Sequence, residues 1–396
     1  MAELSAGHTS SATSIAWYRD ERKRAVIWQV LVVAALVAVV AFIIVNMISN
    51  LRRLGIPLGF DFLSSPAGFA ISFSTIPITL ESHIGRLIIV GILNTLLASA
   101  ISIVLSTVLG FLIGIMRLSR NYLVSRLAAI YIEIFRNVPV LVQLLFWYIA
   151  IVKLFPNVRQ AINIGDVMFL SNRGTYVPRP VPQDDFGFVF IALLIGIAIA
   201  VGLKRWATKR QVETGQLFPA ISVGLAIVVV LPVLASLIFG NPVAWELPAL
   251  KGFNFQGGMV LQPELVTLVI GLSVCTAAYI AEIVRGGIIA ISHGQTEAAL
   301  ALGLRHTWTL RLVIVPQALR VIVPPLTSQY LNIAKNTTLA GAVGYPDLYS
   351  IIGTSFNQTG RAVENVFILM AFFLALSLLI SLIMNWYNKR IALVER

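Results

Sequence analysis

Long apolar runs alternate along this chain with short stretches that are basic, polar or rich in Gly and Pro. That pattern predicts membrane-spanning helices rather than a soluble core. Runs at roughly 26–48, 87–116, 127–154, 187–203, 217–239, 261–284, 319–343 and 366–387 are each long enough to cross a hydrocarbon layer. The expected fold class is all-α, a polytopic transmembrane helical bundle of about eight spans. The first run follows Arg19, Arg22, Lys23 and Arg24 and lacks an A-x-A site, so it reads as a retained helix and not as a cleaved signal peptide. The second exceeds one bilayer thickness, which predicts tilt or a protruding end. Segments 50–85 and 155–186, and the stretch holding Trp245, Glu246, Lys251 and the Gly257-Gly258 pair, read as outside loops, the first with room for an interfacial helix.

One polar interruption differs from the others. Ser292–Pro316, SHGQTEAALALGLRHTWTLRLVIVP, is too polar to span and too short to be a domain. Ser292 and Gln295 have capping-box spacing, and Glu297 to Leu302 are strong helix formers. Gly303 should end that helix. A second, from about 307 to 315, should leave at an angle and stop at Pro316, which has no N–H for a continuing helix. Ala298 and Ala299 should leave one face of the first helix nearly bare, open to close approach by another protein. The alternative is an amphipathic loop resting on lipid headgroups.

Composition removes soluble classes. Hydrophobic residues make up 58% of the 396, charged residues only 12%, and mean hydropathy is +0.88. A net charge of +12 could suggest nucleic acid, but the cations sit in short groups at the ends of apolar runs. Lys and Arg are about twice as frequent in the segments read as inside as in those read as outside, which predicts both termini and Ser292–Pro316 in the cytoplasm. Arg52 and Arg53 run against the bias locally. Cys275 is the single cysteine, so neither an intrachain disulfide nor a Cys-based metal cluster can form.

Three spans carry polar groups at membrane depth. Glu133 and Arg136 in span three, and Glu282 and Arg285 in span six, repeat an acid-then-base spacing that puts both groups on one helical face. Span seven holds Asn332, Lys335, Asn336, Thr337 and Thr338. Ionisable groups at this depth face a polar path or pair with one another; structural alternatives are a buried ion pair, a position at the interface, or Lys335 snorkelling to the headgroups. Pro139 should kink span three just past Arg136 and free a carbonyl to line a cavity. On polarity and depth, the candidate translocation residues are Arg136, Asn137, Gln143, Tyr279, Glu282, Asn332, Lys335 and Asn336. Spans four and five hold no ionisable group and read as lipid-facing scaffold. No G-x-x-x-x-G-K-[ST] phosphate loop is present, so ATP cannot be held in that way, and no catalytic or metal site is expected.

A resemblance joins these features. Glu297, Ala298, Ala299, then Gly303, then Val313, Val315 and Pro316 fall at the spacing of the EAA coupling loop of ABC importer permeases, with Val313 and Val315 standing for that motif's Ile and Leu. The string YIEIFRNVPVLVQLLFWY resembles the E-x-x-R-x-x-P-L-L-V-Q pattern of the polar amino acid branch, which includes histidine, glutamine and general L-amino acid permeases. The resemblance implies a type I importer permease core with an inserted helix pair, in the bacterial inner membrane. It further implies coupling to a separate ATPase through Glu297, Ala298, Ala299, Gly303 and Pro316, with ATP and Mg on that partner and no cofactor here. A second permease subunit, probable in this branch as a related but different chain, and a periplasmic amino-acid-binding protein complete the implied assembly, set in membrane lipid. The implied division is a cytoplasmic tail at 1–25; a first helix and periplasmic loop at 26–85; core at 86–155; inserted loops and helix pair at 156–260; core at 261–388 with the coupling loop at 292–316; and a tail at 389–396. Two other classes explain part of the pattern. A proton-coupled secondary amino acid transporter would also carry intramembrane Glu, Arg and Lys but needs no EAA loop, and a membrane scaffold leaves Glu282 and Lys335 unexplained.

Overall fold

The computed structural model describes residues 21–55, 58–79, 81–216, 218–239 and 243–391. The tail expected before residue 21 and the last five positions lie outside the described residues. Among the described residues, seven helices are long and apolar enough to span, and a bent helix pair brings the number to eight if it counts as one span. They are α1 (Glu21–Arg53), α2 (Ile84–Arg117), the pair α3 (Tyr122–Asn137) and α4 (Val140–Leu154), α5 (Phe186–Thr214), α6 (Ala220–Ile238), α7 (Pro263–Ile289), a long segment from His306 to Val343, and α12 (Ala362–Ile391).

The core is built around α7. It runs parallel to α2, and glycines let the two backbones meet: a Cβ on Gly110 would lie 2.6 Å from the Cβ of Ile280. Leu144, Leu265, Leu268, Leu272, Ile333 and Tyr345 close one buried cluster; Ile280, Val284, Ala318, Ile322 and Leu326 close another nearer the far end. The helix from His306 contains α9 (His306–Thr309), a π-helical turn at Leu310–Ile314, α10 (Val315–Asn336) and a 3₁₀ stretch, Thr337–Val343. It packs antiparallel to α7, with Thr107 Oγ1 of α2 2.9 Å from the Tyr330 hydroxyl. A helix that the apolar pattern did not announce, α11 (Leu348–Thr359), starts on the Asp347 cap, whose carboxylate accepts from Ser350 N at 2.9 Å, and ends at Gly360 in the left-handed region. By contrast α5 and α6 pack on each other, with Gly224 against Ala200, and the apolar centre of α1 has no buried residue.

Span three departs from the expected kink. It breaks into α3 and α4 at an angle of 106°. Val138, preceding Pro139, is extended (φ −95°, ψ 128°), and Pro139 offers no N–H, so neither residue can continue α3. Between α1 and α2, the described residues hold a single turn of 3₁₀ helix, Asp61–Ser64, where the sequence left room for a longer interfacial helix.

Loops read as irregular contain short strands. β1 (Ile162–Ile164), β2 (Met168–Ser171), β3 (Gly174–Val177), β4 (Arg179–Pro182), β5 (Val243–Glu246), β6 (Ala249–Lys251), β7 (Asn254–Gln256) and β8 (Met259–Leu261) form a sheet in the order β1-β2-β3-β8, an antiparallel pair β4-β5 that closes the chain on either side of α5 and α6, and a hairpin β6-β7. Pairing of Tyr176 with Val260 joins chain lengths on either side of the α5/α6 hairpin. A single residue, Gln262, separates β8 from α7, and its side chain donates to the Ser72 carbonyl. The β-module therefore sits at the Pro263 end of α7, and Ser292–Pro316 at the other. About 40 Å of helix separates them.

Candidate coupling and translocation site

Ser292–Pro316 folds as two short helices at the end of α7. The first, α8 (His293–Ala301), closes with a Schellman motif: Gly303 N donates to Leu300 O (2.9 Å), Leu304 N to Ala299 O (3.2 Å), and Gly303 has φ +78°. No atom lies within 4 Å of a Cβ built on Gly303, so the backbone conformation and not space calls for glycine. The expected capping box does not form. Ser292 makes no side-chain cap bond, and the Gln295 side chain is used elsewhere, accepting from Gln317 Nε2 at 3.2 Å. That bond ties α8 to the start of α10.

Two further expectations are corrected here. Ala298 is exposed but Ala299 is buried, only 4% accessible, because adjacent helical positions point about 100° apart; the bare face is Ala298's alone. The second helix does not stop at Pro316. Residues on both sides keep helical dihedrals, and Pro316 sits in the first turn of α10, where a missing N–H costs least. The π turn just before it absorbs the irregularity. The second helix of the knob and the membrane span are thus one continuous helical path from His306, and α8 joins it across the turn at Gly303. Glu297 is exposed, and its Oε1 lies 3.0 Å from His293 Nδ1.

Midway along α7, the α3/α4 break gathers several of the candidate path residues. Gln143 is buried, 4% accessible, and its Nε2 donates to Phe135 O (3.0 Å) and Val138 O (2.8 Å). These are carbonyls at the break, which Pro139 cannot serve, and the Gln143 amide holds the corner. The Tyr279 hydroxyl donates to Arg136 O at 3.3 Å, and the Arg136 guanidinium lies 5.4 Å from the centre of the Tyr279 ring. Asn137 and Glu133 are exposed. The acid-base spacing yields an ion pair at Glu282 and Arg285, where Arg285 Nε lies 3.0 Å from both carboxylate oxygens and Nη2 reaches Oε1. At the other copy of that spacing, Arg136 stacks on Tyr279.

On α10, Val321, Pro324, Ser328, Asn332 and Lys335 are exposed at intervals of three and four residues and so form one stripe, with Asn336 half-buried beside it. A helix at membrane depth does not leave Asn and Lys against hydrocarbon without cost, so this stripe needs a water-filled space or another protein surface. Among the described residues, the stripe, the half-buried Glu282 and Arg285, and the exposed Glu133, Arg136 and Asn137 are polar groups within the spanning helices.

Some contributors were missed. Arg320, one turn beyond Pro316, donates through Nε to the Ile391 carbonyl at 2.8 Å and pins the end of α12 to the base of α10. Gln317 joins α10 to α8. Both are polar residues inside an otherwise apolar helix start, a signal that was present in the sequence beside Pro316.

The arrangement is that of a multi-pass membrane protein. Residues 189–393 match the family model for the binding-protein-dependent transport system inner membrane component, and the chain belongs to that family. It is 51% identical over 374 residues, 94% of this chain and 95% of the relative, to the putative amino-acid ABC transporter permease protein YhdX of Escherichia coli K12. It is 45% identical to the general L-amino acid transport system permease protein AapQ of Rhizobium johnstonii, covering 95% of this chain and 94% of that one. With the glutamate/glutamine/aspartate/asparagine transport system permease protein BztB of Rhodobacter capsulatus it shares 37% identity over 95% of this chain and 96% of the relative. The chain is therefore a multi-pass membrane permease subunit of an ABC importer, a transport component and not an enzyme, and membership implies an ATPase and a second permease subunit as partners. The proton-coupled alternative is left without support.

Proposed function

We propose that this permease carries L-amino acids inward across the bacterial inner membrane, using ATP hydrolysed on separate subunits. The observation that carries the reading is the knob α8, tied through Gln295 to Gln317 at the start of α10, the span that exposes Asn332 and Lys335. Glu297, Ala298, Ala299, Gly303 and Pro316 shape the knob: Ala298 and Glu297 face the motor, Ala299 and Gly303 set the helix and its end, and Pro316 starts the span.

Translocation runs over Arg136, Asn137, Tyr279, Glu282, Asn332, Lys335 and Asn336, with Gln143 as their support. A free amino acid presents a carboxylate and an ammonium, and this face offers cations, amides and a carboxylate to match. The stripe faces a second, related permease chain, and the substrate descends between the two. Both termini are cytoplasmic, the β-module is periplasmic, and a periplasmic amino-acid-binding protein delivers the substrate. Residues 156–260 form an insertion in a core made of 86–155 and 261–388. ATP favours one of two global arrangements, and moving the population from mostly one to mostly the other takes about 5.5 kcal/mol of differential binding.

The test is uptake of radiolabelled L-amino acids into proteoliposomes holding the complete complex with its binding protein. Uptake that requires ATP and is indifferent to a proton gradient is expected. Uptake sustained by a proton gradient with no ATP would overturn the reading.

A further inference from the structure

The β-module holds a feature that neither coupling nor translocation uses. Asn157, Val158, Arg159, Gln160, Arg173 and Phe253 line an open cleft of about 310 Å³. Its floor is rigid. Val158 packs with Tyr176 and Phe255, whose rings lie 4.5 Å apart, and Asn172 Nδ2 donates to Asn157 Oδ1 at 3.0 Å. Burial holds the Tyr176 phenol above its usual range, so it stays protonated and donates to Asn254 Oδ1 at 2.8 Å. Over this floor the Arg159 guanidinium lies 4.3 Å from the centre of the Phe253 ring, and that ring is 77% exposed. Arg173 is exposed on the same cleft, and among the described residues neither arginine has a carboxylate within 4.0 Å.

We propose that this cleft docks acidic side chains of the soluble protein that delivers the substrate. Two arginines and an exposed aromatic on a rigid floor have the chemistry of an interface hot spot. A free amino acid fits less well. Its carboxylate would be met, but no acidic side chain lines the cleft to receive the ammonium. An acidic protein surface leaves no such group unmatched. A headgroup phosphate is the competing occupant, but the two arginines project from a 3₁₀ turn and from the β2–β3 turn into a concave cleft, not along a helix flank at the end of a span.

Position gives docking a consequence. The sheet that carries Arg173 includes β8, which passes through Gln262 directly into α7, and α7 ends at the knob α8. A partner seated in the cleft therefore bears on the helix that reaches the motor.

The inference rests on the proposed function for its partner and its side. The experiment uses the complete complex in phosphatidylcholine nanodiscs and titrates the amino-acid-loaded binding protein while ATPase rate is read. For Arg159→Glu with Arg173→Glu, the half-maximal concentration should rise about tenfold or more, with basal and maximal rates unchanged. High salt should weaken wild type towards the variant and leave the variant nearly unmoved. Phe253→Ala, a milder change, should give a smaller shift of the same sign and serves if the double variant does not assemble. An unchanged half-maximal concentration in either assembled variant overturns the docking proposal alone. A shift seen only when the discs contain phosphatidylglycerol assigns the cleft to lipid and also overturns it. Wild-type complex that no binding protein stimulates would overturn the functional reading and this one together.

Discussion

Helices α5 and α7 are nearly the same length, 29 and 27 residues, yet 6% of the apolar centre of one is buried against 67% of the other. Over these central stretches the buried helix is the less apolar of the two. In water the reverse would hold, but in a bilayer apolar side chains report contact with lipid, and close helix packing is achieved by small and hydroxyl residues. Accordingly the buried face of α7 carries Thr267, Gly271, Ser273, Thr276, Ala277, Ala278 and Ala281. In α5 the two buried positions are Gly196 and Ala207.

This contrast can be broken at several points. The largest effect is expected from Gly110→Leu, because even a Cβ there would lie 2.6 Å from Ile280 and the α2–α7 interface would have to part; a loss of about 3 kcal/mol or more should appear as failure to recover assembled complex by size-exclusion chromatography. Next is Gln143→Leu, which keeps the volume but strips the donor from the carbonyls of Phe135 and Val138. Thermal unfolding in detergent should report about 2 kcal/mol. Gly303→Val places a β-branched residue at φ +78° and should cost only about 1–2 kcal/mol of stability, yet should lower transport per ATP hydrolysed because the end of α8 is displaced. Least affected should be Leu194→Val on the open side of α5, within about 0.5 kcal/mol by the same unfolding measurement.

Much of the architecture was legible as spacing. Eight crossings follow from run lengths, and the knob follows from Gly303 and the helix formers before it. What the sequence did not reveal depends on partners distant in the chain. The break at Pro139 was visible, but its 106° angle is stabilised by Gln143, which satisfies the carbonyls that the bend exposes. The strands are three or four residues long with no sustained alternation, and β3 finds β8 only after the α5/α6 hairpin has been passed. Asp347 and Gly360 did mark the ends of α11, in a stretch too rich in Ser, Thr and Gly to stand out by hydropathy. Of the polar groups gathered near the α3/α4 break, Arg136, Tyr279 and Glu282 were recognisable by polarity and depth. Burial of Gln143 was not, since an amide's polarity does not say which carbonyl it serves.

The central claim is that α8 is the surface a motor grips, and a cysteine scan across His293–Ala301 in the assembled complex tests it most directly. With a short bifunctional crosslinker, positions 297 and 298 should join to the ATPase subunit efficiently, while position 299, buried against the permease, should not. Absence of crosslinks along the whole helix, or equal yields at 298 and 299, would contradict the account.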